Sequence, residues 1–411
     1  MSTVSDRFDR PVVAFLAARV AFGLSMQMVA VALGWHLYEA SGDPFDLALV
    51  GLIFVLPIFV FFFFSGFVID RVPRQGILMG ATLLDAFAFL GLAVAFEAPE
   101  FDPLWIYALV FLHGCAHAFF TPAQAAVLAN IVTPRLLPQA IALNSTMGHA
   151  ATTVGPFMAG VLILWMDRNV YWVMCAIVSV CPLLYLSLPR LTLPTQEKTS
   201  RMEALLGGLV YLKKSPVVLG SLGLDLVAVL FGSVIALLPV FAVDVLNTDA
   251  DGLGILRAMP AVGSVLVGLT LARSAPMERV GQKLFTVLVL FAGCILVFGL
   301  STSFWLSCAA LFMYGAVDMV SVNIRMSLVQ LATPDALRGR VNTVNSLFTA
   351  SSNHLGAFRA GTVAAWIGPV PAVIVGGVMA MAVAIGGWYL FPSIRRLNRV
   401  QDVGEQNATH Q

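Results

Sequence analysis

Long apolar runs alternate with short polar breaks along the whole chain. Windows near 12 to 38, 45 to 69, 76 to 97, 104 to 130, 138 to 166 and 170 to 188 precede a polar stretch, and 216 to 246, 253 to 272, 281 to 300, 303 to 331, 339 to 366 and 369 to 391 follow it. Crossing roughly 30 Å of hydrocarbon takes about 20 apolar residues, so each window is long enough to span a membrane. The runs are continuously apolar, whereas barrel strands would alternate over about ten residues, and helices are therefore predicted. The first run, from Pro11 to Tyr38, is longer than the apolar region of a signal peptide and has no clear small-residue cleavage site, so it is expected to stay as a span.

The pattern divides six plus six. It predicts an N-terminal bundle over 1–188, a cytoplasmic linker over 189–215, a C-terminal bundle over 216–391 and a tail over 392–411. Within the linker, Leu205, Leu206, Leu209, Val210 and Leu212 alternate with Arg201, Lys213 and Lys214, a composition suited to an amphipathic helix at the inner membrane surface, where lipids would be its partners. The two halves also echo each other. Thr133-Pro134 recurs as Thr333-Pro334, Asn144-Ser145 as Asn345-Ser346, Gly155 as Gly356 and Gly160 as Gly361, while Gly66 and Arg71 meet Gly268 and Arg273. Parallel six-helix repeats are a transporter architecture, with the substrate path at the repeat interface. The expected fold is an all-α polytopic membrane protein of twelve transmembrane helices in two pseudo-repeats.

Composition narrows the function. Of 411 residues 59% are hydrophobic and 11% charged, too few polar side chains to cover a water-facing surface, which excludes a soluble enzyme, a disordered chain and a coiled coil. A net charge of +1 without a basic, aromatic-interleaved patch excludes nucleic acid as a partner. The five cysteines lie inside apolar runs without C-x-x-C spacing and read as core residues, so neither disulfides nor a metal is expected. His113 and His117 stand four apart, but no acid completes a zinc shell. With no phosphate-binding loop and no convergent nucleophile and base, no cofactor is expected, and transport would be gradient-driven. If the N-terminus is inside, 18 of the 23 Lys and Arg residues are cytoplasmic, only Arg168 and Arg257 lie at the other face, and Arg19, Arg325 and Arg359 fall within spans. Both termini are then cytoplasmic.

Gly66-Phe-Val-Ile-Asp70-Arg71-Val-Pro-Arg74-Gln resembles the signature of the major facilitator superfamily in the loop joining spans two and three. In that family the acid and the arginines hold the inner gate against the eleventh helix, which implies gating roles for Asp70, Arg71 and Arg74, opposite Arg338 and Arg340, and a close-packing role for Gly66. Gly155-Pro156-Phe-Met-Ala159-Gly160 resembles part of the fifth-helix antiporter motif. Helix packing accounts for Gly155, Pro156, Ala159 and Gly160 equally well. The fourth-helix arginine of drug antiporters would stand at Val110, so proton coupling would fall to other buried charges. Stretches around Asp225, Asp318 and Asp335 look like the enterobactin-exporter-like branch, implying efflux of siderophores or drugs and multidrug resistance.

Three acids, Asp85, Asp225 and Asp318, match three bases, Arg19, Arg325 and Arg359, inside the spans. Buried ionisable groups mark functional sites or structural ion pairs. The resemblance places spans one, four, seven and ten around the cavity. Asp318, Ser321 and Arg325 share one helical face, so Asp318 is expected to bind a proton or face substrate, within a charge network of Asp225, Arg19, Arg325 and Arg359. Asp85 reads as structural. Asn342, Asn345, Thr349, Ser352 and Gly356 form a polar stripe that either lines the cavity or bonds between helices, with Gln27, Asn144 and His117 as further cavity candidates. The reading that results is a monomeric, proton-coupled exporter of an amphipathic small molecule in the inner membrane, working by alternating access. An uncoupled facilitator or a lipid flippase of the same fold is the alternative.

Overall fold

The computed structural model describes residues 9–98, 102–132, 136–189, 201–273 and 277–398. Within them every regular element is helical: α1 Arg10–Ser41, α2 Pro44–Val60, α3 Phe62–Arg71, α4 Arg74–Glu97, α5 Pro103–Ile131, α6 Leu137–Met166, α7 Val170–Tyr185, α8 Arg201–Lys214, α9 Pro216–Gly232, α10 Leu238–Val240, α11 Ala250–Arg273, α12 Val280–Leu300, α13 Phe304–Ala332, α14 Asp335–Ile367, α15 Pro369–Leu390 and α16 Pro392–Arg395. Nine stretches of the described residues are both long and apolar enough to cross a membrane. One of them, Thr146–Tyr185, takes in the fifth and sixth windows, and the two windows without such a stretch depart from that form for local reasons. The second window bends at Phe61, one turn after Pro57, whose missing N–H and ring disturb the preceding turn. The eleventh falls on α14, whose Asn, Ser and Arg residues keep it off the apolar set.

Helix ends follow the residues. Asp102 caps α5 by accepting the Leu104 N–H at 2.9 Å, with Pro103 in the first turn, where its missing N–H leaves nothing unbonded. Gly42 closes α1 in the left-handed region, φ 65°, its N–H bonded to the Tyr38 carbonyl.

The seventh window, expected as one span over 216 to 246, is interrupted. α9 stops at Gly232, residues 233–234 are non-helical, and the chain resumes through a short turn, α10 and a π-turn at Phe241–Val245. Gly232 and Ser233 are poor helix formers at this point, and Pro239 cannot supply the N–H a continuous helix would need.

Contacts divide the chain into two compact units. One gathers the chain through Gly42, Leu49–Glu197 and Asp249–Ala258, and the other Asp43–Ala48, Lys198–Thr248 and Met259 onward. In the first, α1 packs on α6 and α7, and α4 on α5 and α7. In the second, α12 packs on α13 and α15, while α14 holds α8, α9 and α15. The linker helix α8 is docked on protein along one face. A Cβ on Gly208 would stand 2.6 Å from the Arg340 carbonyl, and Leu212 is fully buried in the core of this unit, leaving Leu206 and Val210 outward.

Candidate functional site

The charges expected in one network are distributed over three separate arrangements. In the second unit, Arg325 of α13 reaches across to Asp225 of α9, Nη1 to Oδ2 at 2.6 Å, and its Nε–H donates to Ser321 Oγ, one turn earlier on the same helix, at 3.4 Å. Both partners of the pair are buried. Asp225, Asp318 and Ser321 then frame a small cavity with Val229, Leu288 and Phe291. Asp318 has no ion-pair or hydrogen-bond partner among the described residues, so it presents its carboxylate to the cavity. One turn before it, Tyr314 packs against Phe291 with the rings tilted by 31° and their centroids 4.5 Å apart. The cavity offers about 10 Å³ to the centre of a water-sized sphere, room for about one water molecule. Its chemistry is therefore that of water and protons. Of the expected set, Asp318, Ser321, Arg325 and Asp225 lie near one another in the structure, and Tyr314 joins them, which its spacing from Asp318 could have indicated.

Arg359 does something else. Its Nε–H and an Nη2–H donate to the carbonyls of Leu230 and Phe231 at 3.0 and 2.7 Å, and its guanidinium lies 5.6 Å from the Phe231 ring centroid. Those carbonyls end α9, where no further helical N–H follows. Arg359 caps the broken helix rather than joining the carboxylates, a role the sequence concealed because the break itself was not foreseen.

In the first unit, Arg19 of α1 has no acidic partner among the described residues. Its guanidinium lies against Gly148 of α6. Asp85 of α4 is fully buried and meets His113 of α5, Oδ1 to Nδ1 at 2.8 Å, with Phe54 and Phe89 rings on either side of the imidazole at 5.1 and 5.3 Å. This pair fits the structural role expected for Asp85. The residue that satisfies it was not foreseen, since no spacing rule links an acid on one helix to a histidine on the next. At the far end of the same bundle, His36 bonds both Tyr171 Oη at 3.3 Å and Asp167 Oδ1 at 3.2 Å.

The remaining candidates are ordinary in their contacts. Asn345 Nδ2 points at Met326 Sδ, 3.6 Å away, and Ser352 Oγ bonds back to the Thr349 carbonyl, while Thr349 itself is exposed. His117 Nε2 meets Thr121 Oγ1 at 3.3 Å. Asn144 is half-buried with its Oδ1 unbonded. Gln27 packs on Gly155, where an added Cβ would come within 2.6 Å of the Gln27 Cβ, and Gly160 lies against Gly254 with Pro156 beside it. That is a helix-packing stripe. Arg71 is exposed and Arg74 half-buried at the first turn of α4, and Arg340 lies along Gly207 of α8. The side chains of Gly66, Asp70, Arg338 and Asn342 fall outside the described residues.

Known proteins resemble this arrangement over nearly its whole length. The enterobactin exporter EntS of Citrobacter koseri is 25% identical over 390 residues, covering 94% of this chain and 92% of that protein. The protein of the same name from Escherichia coli O1:K1 is 25% identical over 391 residues with the same coverage. A bacterial homologue of the human lysosomal transporter Spinster, solved inward-facing and unoccupied, matches the fold with a TM-score of 0.72 at 15% identity, over 95% of this chain and 98% of that one. A bacterial homologue of the iron transporter ferroportin, inward-facing, matches at 0.71 and 15% identity, over 94% and 99%. At such identities these structures speak for the fold alone. The Major Facilitator Superfamily profile covers residues 15–357. The chain belongs to that superfamily, and is a multi-pass membrane transporter and not an enzyme.

Proposed function

We propose that this transporter exports an amphipathic small molecule, siderophore-like or drug-like, by alternating access coupled to inward proton movement. The observation that carries the coupling is the cavity framed by two carboxylates, Asp225 and Asp318, of which Asp225 is ion-paired to Arg325 and Asp318 is not. Fully ionised, the three groups sum to one negative charge, and with one proton aboard they sum to zero. In surroundings as apolar as Val229, Leu288 and Phe291 such a difference in charge biases helix packing. Protonation and deprotonation of Asp318 would thus shift the populations of two conformations, and cargo would bind elsewhere, because the cavity is too small for it. The export direction rests on the resemblance to enterobactin exporters. Further parts of the same reading are twelve crossings, two six-helix halves, cytoplasmic termini, an inner-membrane location, lipid against the outward face of α8, a gate built from Asp70, Arg71, Arg74, Arg338 and Arg340, and action as a monomer.

Reconstituted vesicles with an imposed pH gradient test it. Catecholate and hydroxamate siderophores and lipophilic cations are offered in turn, and both cargo and proton fluxes are read. The expected outcome is proton-coupled flux of one ligand class, abolished by Asp318→Asn with the protein still folded. Cargo flux indifferent to collapse of the gradient would instead establish an uncoupled facilitator, or a flippase if the cargo is lipid.

A further inference from the structure

Arg19 is a cation without an anion. It lies ten residues into α1, roughly 15 Å along the helix, where an uncompensated charge is disfavoured and ordinarily finds a partner. No acid pairs with it among the described residues, and its Nε is shielded from solvent without a hydrogen-bond partner. The ionisable neighbour within electrostatic range is Tyr185 of α7, whose buried hydroxyl is itself unbonded.

Nor is Arg19 escaping to water. A snorkelling arginine extends toward the nearer end of its span, which here is the N-terminal end. Instead the guanidinium turns the other way, toward Gly23 one turn further in. A Cβ on Gly23 would stand 3.5 Å from Nη1, and one on Gly148 of α6 would stand 3.0 Å from Nη2. Glycine at 148 gives the guanidinium room that a Cβ would tighten, while a Cβ at Gly23 would meet it only at ordinary contact distance. One turn before Gly148, Asn144 Oδ1 is buried without a donor, and on the same side of α1 Gln27 follows two turns after Arg19. A forked donor, an unbonded acceptor and an unbonded phenol therefore gather along the α1, α6 and α7 packing, all lacking something that carries negative charge and a hydroxyl or N–H.

We propose that Arg19 is an anion-recognition residue of the cargo path and that the cargo is an amphipathic anion bearing a carboxylate or acidic phenol. This deepens the export reading and rests on it for the claim that the ligand is cargo. The guanidinium fork suits such a group because it donates two parallel hydrogen bonds to one planar acceptor. An anionic lipid headgroup shares that chemistry and is the second possible source.

The test compares dansylglycine with its uncharged amide, by fluorescence titration of the full-length protein in phosphatidylcholine nanodiscs. The unmodified protein is expected to prefer the anion by about tenfold or more, as a charge-assisted hydrogen bond would give. Arg19→Gln should erase the preference, Arg19→Lys should keep part of it, and Gly148→Ala, which crowds the guanidinium, should weaken it. Should Arg19→Gln fail to fold, the graded series from Arg19→Lys and Gly148→Ala carries the measurement. Displacement of dansylglycine by dihexanoylphosphatidylglycerol but not by its phosphatidylcholine counterpart would assign the site to a lipid headgroup, and displacement by free aromatic carboxylates alone would assign it to a small-molecule cargo. Equal or no binding of the two probes by the unmodified protein, or a preference that survives Arg19→Gln, overturns the proposal. Export is scored separately with dansylglycine in vesicles, so a failure of transport with the anion preference intact would count against the export reading only.

Discussion

At the scale of single residues, the Asp225–Arg325 pair separates coupling from stability. Removing one member of a buried pair strands the other charge, at a cost of about 3–5 kcal/mol, whereas removing both leaves no orphan. Arg325→Met alone should therefore lower the melting temperature of the detergent-solubilised protein strongly, and Asp225→Asn combined with Arg325→Met should recover much of the loss. Additive losses in the double variant would mean the two side chains do not stabilise each other. Asp318 provides the contrast. Among the described residues it has no partner to strand, so Asp318→Asn should change stability little while abolishing proton-coupled transport. The same residues show what a sequence can and cannot give. Helical spacing put Asp318, Ser321 and Arg325 on one face, because that relation is internal to one helix. Pairing Arg325 with Asp225 depends on which helices are neighbours, and the network expected of Asp318, Asp225, Arg19, Arg325 and Arg359 is instead an ion pair, a helix cap and an Arg19 without an acidic partner among the described residues.

At the scale of elements, the interrupted seventh window controls its surroundings. Ending α9 at Gly232 leaves the Leu230 and Phe231 carbonyls without helical donors, and Arg359 supplies both hydrogen bonds from α14. Gly376 of α15 approaches the same carbonyl end, where an added Cβ would lie 2.5 Å from Phe231 O, so the break is enclosed by protein on more than one side. Arg359→Gln should leave at least one buried carbonyl unsatisfied, at a cost of about 1–3 kcal/mol. Hydrogen exchange should then accelerate locally, in the last turns of α9, and protection unchanged there would show that the cap is dispensable. The break was legible in part. Gly232-Ser233 and Pro239 stand in the sequence as helix breakers, but unbroken hydrophobicity from 216 to 246 outweighed them in an apolar-window reading. Hydropathy registers how long an element is and is blind to whether its backbone ladder is continuous.

At the scale of the whole molecule, the fold was readable because a membrane permits few alternatives: long apolar runs must be helices, and the polar intervals between them fix where the chain turns. Which side each turn faces follows from a different physical effect, the retention of Lys and Arg in the cytoplasm. The count is lopsided enough to commit to. Turns near 71–74 and 273–279 carry Arg71, Arg74, Arg273 and Arg279, while those near 98–102, 246–249 and 301–303 carry acids or no charge at all. In a variant whose five native cysteines are replaced, Thr302→Cys should react with a membrane-impermeant maleimide in intact cells. Val72→Cys, which is exposed on the turn after α3, should react only after the membrane is opened. The two positions lie on helix connections separated by an odd number of crossings in the twelve-span reading, so they must behave oppositely. Labelling of both from outside would remove a span between them, and a reversal of the two would place the termini outside and with them invert the side from which the proposed gate and the Asp225–Asp318 cavity are reached.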